Sequence, residues 1–244
     1  MPGELLLEAR SVGYCHEHGV VALRDATLGV RRGVRLALLG NNGAGKTTLF
    51  LHLLGILRPA SGVILLDGRP VKYGRRFVGQ WRQRVGMLLQ DPEDQLFCAN
   101  VEQDVSFGPL AAGMDEQQAR ERVGQALEAL GIADLLQRPV HLLSHGQKKR
   151  VALAGVLALA PEQLILDEPT AGLDRPGQRQ LLAALNELHR KGTGILFSTH
   201  DMSLARSWAD EVAVMVDGTV ICQGAVDKVL NDPLLMQLLG YEES

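Results

Sequence analysis

Two stretches of this sequence gather residue types that handle phosphate. The first, Gly40-Asn41-Asn42-Gly43-Ala44-Gly45-Lys46-Thr47-Thr48, follows an apolar run over 34–39 and puts Gly40, Gly45, Lys46 and Thr47 at the fixed positions of G-x-x-x-x-G-K-[ST]. Glycines at this spacing let backbone N–H groups wrap a polyphosphate at the positive end of a helix. Lys46 would then neutralise β- and γ-phosphate oxygens, and the Thr47 hydroxyl would ligate Mg²⁺. The second, Gln163-Leu164-Ile165-Leu166-Asp167-Glu168-Pro169, is an apolar strand ending in two carboxylates. Such a strand end lies at the carboxyl edge of a parallel sheet, where ligands bind. Adjacent strand residues point to opposite faces, so Asp167 can hold Mg²⁺ while Glu168 faces the water that attacks a γ-phosphate. The bland alternatives are a glycine-rich turn and two solvated acids.

The surrounding pattern must supply a strand before each stretch and a helix after the loop. Apolar runs predict strands at 35–39, 85–90, 163–167 and 194–198, separated by helical patterns, which points to a largely parallel sheet. Leu49, Phe50, Leu53, Leu54 and Leu57 share one face of a helix predicted over 46–57 and stopped by Arg58-Pro59. A second amphipathic helix runs over 175–191 and ends at Gly192. Residues 5–30, broken by Gly13 and Gly19, and 61–68 read as antiparallel strands, and 212–221 as a hairpin centred on Asp217-Gly218. From 100 to 140 the pattern is helical, clearest over 115–130, and reads as a subdomain inserted between core strands.

Composition bounds the function classes. The 244 residues suffice for a substantial core, and 46% hydrophobic with 22% charged residues is ordinary for a soluble globular chain. A formal charge of −3 argues against a dominant nucleic-acid surface. The longest apolar stretch, over 151–160, has ten residues, against roughly 20 for a membrane-spanning helix. Met1-Pro2-Gly3-Glu4 lacks the basic and apolar regions of a secretory signal, and Cys15, Cys98 and Cys222 show no paired spacing, so a cytosolic chain with reduced thiols is expected.

Leu143-Ser144-His145-Gly146-Gln147, followed by Lys148-Lys149-Arg150, resembles the signature sequence of ATP-binding-cassette ATPases, with His145 where many members have glycine. Ser144 and the N–H groups of Gly146 and Gln147 would form an anion site at a helix N-terminus. Because the loop over 40–48 already binds phosphate, the resemblance implies two cassettes head to tail, each signature closing over ATP held by the other copy. The remaining motifs occur in order from Tyr14 to His200. The resemblance implies that Tyr14 stacks on adenine, although packing is the alternative for a lone edge tyrosine. It implies that Asn41, Asn42, Gly43, Ala44, Gly45, Lys46, Thr47 and Thr48 bind ATP, and that Gln90 senses Mg²⁺ and the attacking water. Asp174, in Ala171-Gly172-Leu173-Asp174, would communicate across the dimer, and His200 would contact the γ-phosphate. The implied fold is an α/β P-loop NTPase with an antiparallel β subdomain and an inserted α-helical subdomain. Its core would cover about 4–90 and 160–225, its helical part about 91–159, and a C-terminal extension about 226–244.

Gln90-Asp91-Pro92-Glu93-Asp94-Gln95-Leu96-Phe97 and the run over 143–155 look like the ATPase of energy-coupling-factor importers, and within them the cobalt/nickel branch; Gly55 to Pro59 and Gly68 to Tyr73 fit it less specifically. The resemblance implies a homodimer, peripheral on the cytoplasmic face of the membrane, driving an integral membrane scaffold and a separate substrate-binding membrane subunit. A scaffold helix would dock on 91–112, where Leu96, Phe97, Val101, Val105 and Phe107 are either contact residues or internal core. His16-Glu17-His18 tempts as a metal site, but a loop imidazole pair without further ligands reads as solvated. Cobalt, nickel or a vitamin remain open as cargo. Repair cassettes with long coiled coils and two-cassette translation factors do not fit. Small P-loop kinases lack the signature, and Lys46, Asp167, Glu168 and His200 together disfavour a cassette that only binds ATP.

Overall fold

The computed structural model describes residues 3–17 and 19–240. In chain order the elements are β1 (Leu5–Cys15), β2 (Val21–Arg31), β3 (Arg35–Leu39), α1 (Lys46–Leu53), β4 (Ser61–Leu66), β5 (Arg69–Pro70), α2 (Arg75–Arg84) and β6 (Val85–Leu88). They continue with α3 (Val101–Ala111), α4 (Glu116–Ala129), α5 (His145–Leu157), β7 (Gln163–Leu166), α6 (Arg175–Arg190) and β8 (Gly194–Thr199). The last are α7 (Met202–Trp208), β9 (Glu211–Val216), β10 (Thr219–Ala225), α8 (Val226–Leu230) and α9 (Pro233–Leu238). The described residues form two compact units: the first holds the described residues up to 81 and from 194 on, the second residues 82–193.

In the first unit β3 lies between β8 and β9, parallel to both, and β10 returns antiparallel along β9. The apolar runs predicted as strands at 35–39 and 194–198 are buried, Leu36 to Leu39 and Ile195 to Phe197 exposing 1% or less, and so is the first strand of the predicted hairpin, Val212 to Met215. A separate antiparallel sheet, in the order β2-β1-β4-β5, covers the segments expected to be antiparallel. Gly13 does not break β1 as expected but lies within it, and a Cβ there would stand 2.4 Å from Ser61 Oγ. Helix α1 also stops before Arg58-Pro59: its cap is Leu54, and the Trp81 ring fills the space a side chain on Gly55 would need.

In the second unit β6 and β7 pair in parallel from Val85↔Gln163 to Leu88↔Leu166. Helices α3, α4 and α5 supply a core through Val101, Val105, Val123, Leu127, Val151 and Leu153, each 2% exposed or less. Asp115 and Gln118 close a capping box on α4, two residues or fewer from the boundary read in the sequence. Helix α6 starts at an Asp174 cap with Pro176 in its first turn and buries Leu181 and Leu185.

Candidate functional site

The phosphate-type loop is built by the end of β3 and the start of α1. In register, Leu39 pairs with Thr199, so His200 leaves β8 beside Gly40 as it leaves β3. Leu39, Gly40, Asn41, Thr199, His200 and Met202 line one small cavity together with Leu239. The loop is clamped by backbone on both sides: a Cβ on Gly40 would meet Met215 O at 2.4 Å, and one on Gly45 would meet Ala22 O at 2.5 Å. The β9–β10 turn completes the clamp, because Gly218 N donates to Ala44 O at 2.9 Å while Gly218 O accepts from Arg24 N at 2.8 Å. Sequence patterning identified Asp217-Gly218 as a hairpin turn and missed this second task.

Lys46 is only 7% exposed. Its Nζ donates to Gly40 O at 2.7 Å and Asn41 O at 3.2 Å, so the positive charge is held over the loop rather than in solvent. Asn41, Asn42, Gly43 and Thr47 are exposed, Thr48 and Gly45 half-buried, and Ala44 buried. Gly45 caps α1 with no side-chain acceptor, and no acid stands in the first turn. The positive helix end therefore faces its surroundings without a competing anion from its own first turn. Tyr14 packs its ring edge-to-face on His52 of α1, with centroids 4.8 Å apart, and on His16 at 5.2 Å. His52 is fully buried, its Nδ1 2.8 Å from Thr48 O, and desolvation lowers its pKa below the usual 6.5.

The second unit gathers the acidic strand end and the signature helix. Asp167 is 3% and Glu168 7% exposed, and Asp167 N donates to Leu88 O at 2.9 Å. Glu168 adopts a left-handed φ of 45°, a conformation that costs a side-chain-bearing residue energy and recurs where function demands a fixed direction. Ser144 caps α5 in a reciprocal box: its Oγ accepts from Gln147 N at 3.3 Å, and Gln147 Oε1 accepts from Ser144 N at 2.9 Å. An accepting hydroxyl still has its proton to donate to an anion. His145, at the position where the resemblance places glycine in many members, lies against Gly172, where a Cβ would stand 2.9 Å from Nε2. Asp174 Oδ1 accepts from Gly177 N at 2.8 Å, which is a helix-capping task visible within one chain.

Gln90 is exposed two residues past β6, which stops at Leu88 rather than running on to 90 as the sequence pattern suggests, and the loop after it is tied to α5. Gln95 accepts from Leu89 N at 3.1 Å and donates to Met87 O at 3.2 Å, while Glu93 pairs with Lys148. The apolar members of this region divide. Val101 and Val105 are core, whereas Phe97 and Phe107 are 66% and 54% exposed and stack edge-to-face at 4.9 Å. Lys149 carried no sequence signal of its own. It is fully buried, and desolvation lowers its pKa to about 8 despite the opposing influence of Glu168, Asp91 and Asp167. Of the tempting loop triplet, His16 and Glu17 are described and His18 lies outside the described residues. Among the described residues no group of three or more His, Cys, Asp and Glu side chains is arranged to hold a metal ion.

The family model for ABC transporters matches residues 23–171, from β2 through the acidic strand end. The chain belongs to the ABC transporter family. Among curated relatives, the cobalt import ATP-binding protein CbiO of Rhodobacter capsulatus is 53% identical over 93% of this chain and 81% of its own length. The energy-coupling factor transporter ATP-binding protein EcfA of Methanocaldococcus jannaschii is 43% identical over the same shares. Among solved structures, cbiO1 from Clostridium perfringens, described as part of the ABC transporter complex cbiONQ, superposes with a TM-score of 0.84 at 42% identity, covering 96% of this chain and 94% of that one. As an ABC ATPase of the energy-coupling-factor type, the chain has the expected P-loop NTPase fold and hydrolyses ATP.

Proposed function

We propose that this ABC ATPase powers an energy-coupling-factor importer and that its cargo is cobalt. The observation that carries the reading is the 53% identity, across nearly the whole chain, with a cobalt import ATP-binding protein. The loop geometry supports the assignment of chemistry. Lys46 neutralises the β- and γ-phosphates, Glu168 orients the attacking water, and His200 and Gln90 contact the γ-phosphate side of the reaction. Tyr14 stacks on adenine, and Asn41 to Thr48 bind the phosphates.

Thr47, Asp167 and Gln90 offer a hydroxyl, a carboxylate and an amide, an all-oxygen set that suits Mg²⁺ rather than a soft metal. The ion would offset charge on the phosphates. In this reading Ser144, Gly146 and Gln147 of one copy bind the ATP held by the loop of a second copy, and Asp174 lies at that junction. The helical part at about 91–159 presents the Phe97–Phe107 pair to a membrane scaffold, while a further membrane subunit holds the cargo. Among the described residues no helix is long and apolar enough to cross a membrane. In this reading the chain is a peripheral subunit on the cytoplasmic face.

The relatives named only for the energy-coupling factor leave nickel or a vitamin as the second reading. Isotope uptake in cells expressing the transporter with wild-type protein or Lys46→Ala decides between them. Cobalt uptake that the variant abolishes is the expected result; nickel or vitamin uptake with no cobalt uptake moves the cargo to the second reading.

A further inference from the structure

Lys149 is a buried cation for which the reaction, as assigned above, has no task. It lies in the second turn of α5 with its side chain fully buried. Its Nζ donates to Glu168 O at 3.1 Å and to Ala171 O at 3.0 Å. These two carbonyls bracket the turn that leaves β7, and Ala171 N itself donates to Glu168 O at 3.0 Å. The ammonium thus grips both ends of a four-residue turn whose first member is Glu168 in its left-handed conformation.

Burying an ammonium is costly unless its protons are satisfied, so a core lysine persists where its donors are needed. A residue held in a sparsely populated backbone region likewise persists only where its surroundings over-determine it. Here the two requirements meet at one carbonyl. A methionine of similar reach would fill the space without donating, and would leave both carbonyls without the ammonium. The compact lysine head can address two carbonyls whose directions converge, which a planar guanidinium does less readily.

We propose that Lys149 is a positioning residue for ATP hydrolysis, joining the helix that starts at Ser144 to the backbone that aims Glu168. Anion contact at Ser144 and the direction of the Glu168 carboxylate are then parts of one rigid body rather than independent events. This rests on the reading that Glu168 orients the attacking water.

The test is steady-state phosphate release by the purified protein, with Lys149→Met, Lys149→Gln and Glu168→Gln measured side by side. Lys149→Met is expected to lower kcat at least about 30-fold with KM for ATP within about twofold, the pattern of a lost transition-state arrangement rather than lost binding. Lys149→Gln, which retains an N–H donor, recovers kcat to within about fivefold of wild type. A packing role alone would not separate these two neutral variants. If Lys149→Met does not fold, Lys149→Arg serves instead. Its longer fork must displace a carbonyl, so a fall in kcat at unchanged KM supports the proposal and wild-type kcat overturns it. Full activity in Lys149→Met also overturns it, provided Glu168→Gln is inactive. If Glu168→Gln turns over ATP normally, the assignment of Glu168 has failed, and the proposal with it.

Discussion

The imidazole of His145 stands where a side chain on Gly172 would have to go, 2.9 Å from the position of its Cβ. Gly172 has a left-handed φ of 73° and lies in the loop that leads to Asp174, so His145 fits against a position that carries no side chain. Gly172→Ala is expected to destabilise the protein by about 1–2 kcal/mol from backbone conformation alone, with the contact adding to it. Adding His145→Gly relieves the contact and not the backbone strain, so the double variant recovers part of the loss. Urea denaturation of the four proteins measures this coupling; additive losses would show that the two residues do not sense each other.

Acidification should weaken the first unit through His52. Burial lowers the pKa of its imidazole, so the folded chain keeps it neutral where the unfolded chain, with a value near 6.5, has begun to take up a proton. Between those two values the unfolded state binds more protons. Stability from this group is therefore complete above 6.5 and is lost as pH falls toward the folded value, by up to about 1.4 kcal/mol per pH unit. Urea midpoints at pH 7 and about 5.5 should differ less in His52→Gln than in wild type; equal differences would remove His52 as the cause.

If the exposed Phe97–Phe107 pair meets the membrane scaffold as proposed, replacing it should separate transport from hydrolysis. Replacing both with alanine is expected to change stability by less than about 1 kcal/mol, since both rings already face solvent. ATP turnover by the isolated protein should stay close to wild type while uptake by the assembled transporter collapses. Uptake at the wild-type level would place the membrane contact elsewhere.

What the sequence made legible was whatever has a short, local physical signature. The loop around Lys46, the acidic strand end and α6 are fixed by a few residues in series, and each stands where its pattern placed it. Helix α2 escaped notice because its apolar side chains are only Phe77, Val78 and Trp81 in an otherwise polar segment, too few for a periodic run; Gly55 follows the cap of α1 with a left-handed φ of 64°, and the Trp81 indole occupies the space a side chain there would need. The apolar members of 91–112, Leu96, Phe97, Val101, Val105 and Phe107, read as either all contact or all core, whereas packing against the helices buries Val101 and Val105 and leaves the phenylalanines out. Lys149 was illegible for a related reason. In a run of Lys148-Lys149-Arg150 nothing local distinguishes the lysine that turns inward, and only the carbonyls of Glu168 and Ala171, about twenty residues on, define its place.

The account depends most on two copies of the chain enclosing ATP between the Lys46 loop of one and the Ser144 helix of the other. Sedimentation velocity of Glu168→Gln, with and without saturating MgATP, tests this most directly. The account predicts an ATP-dependent dimer that persists because hydrolysis is blocked, and that does not form when Lys46→Ala is added to the same chain. A Glu168→Gln protein that stays monomeric at saturating MgATP, or that dimerises equally well without nucleotide, would contradict it.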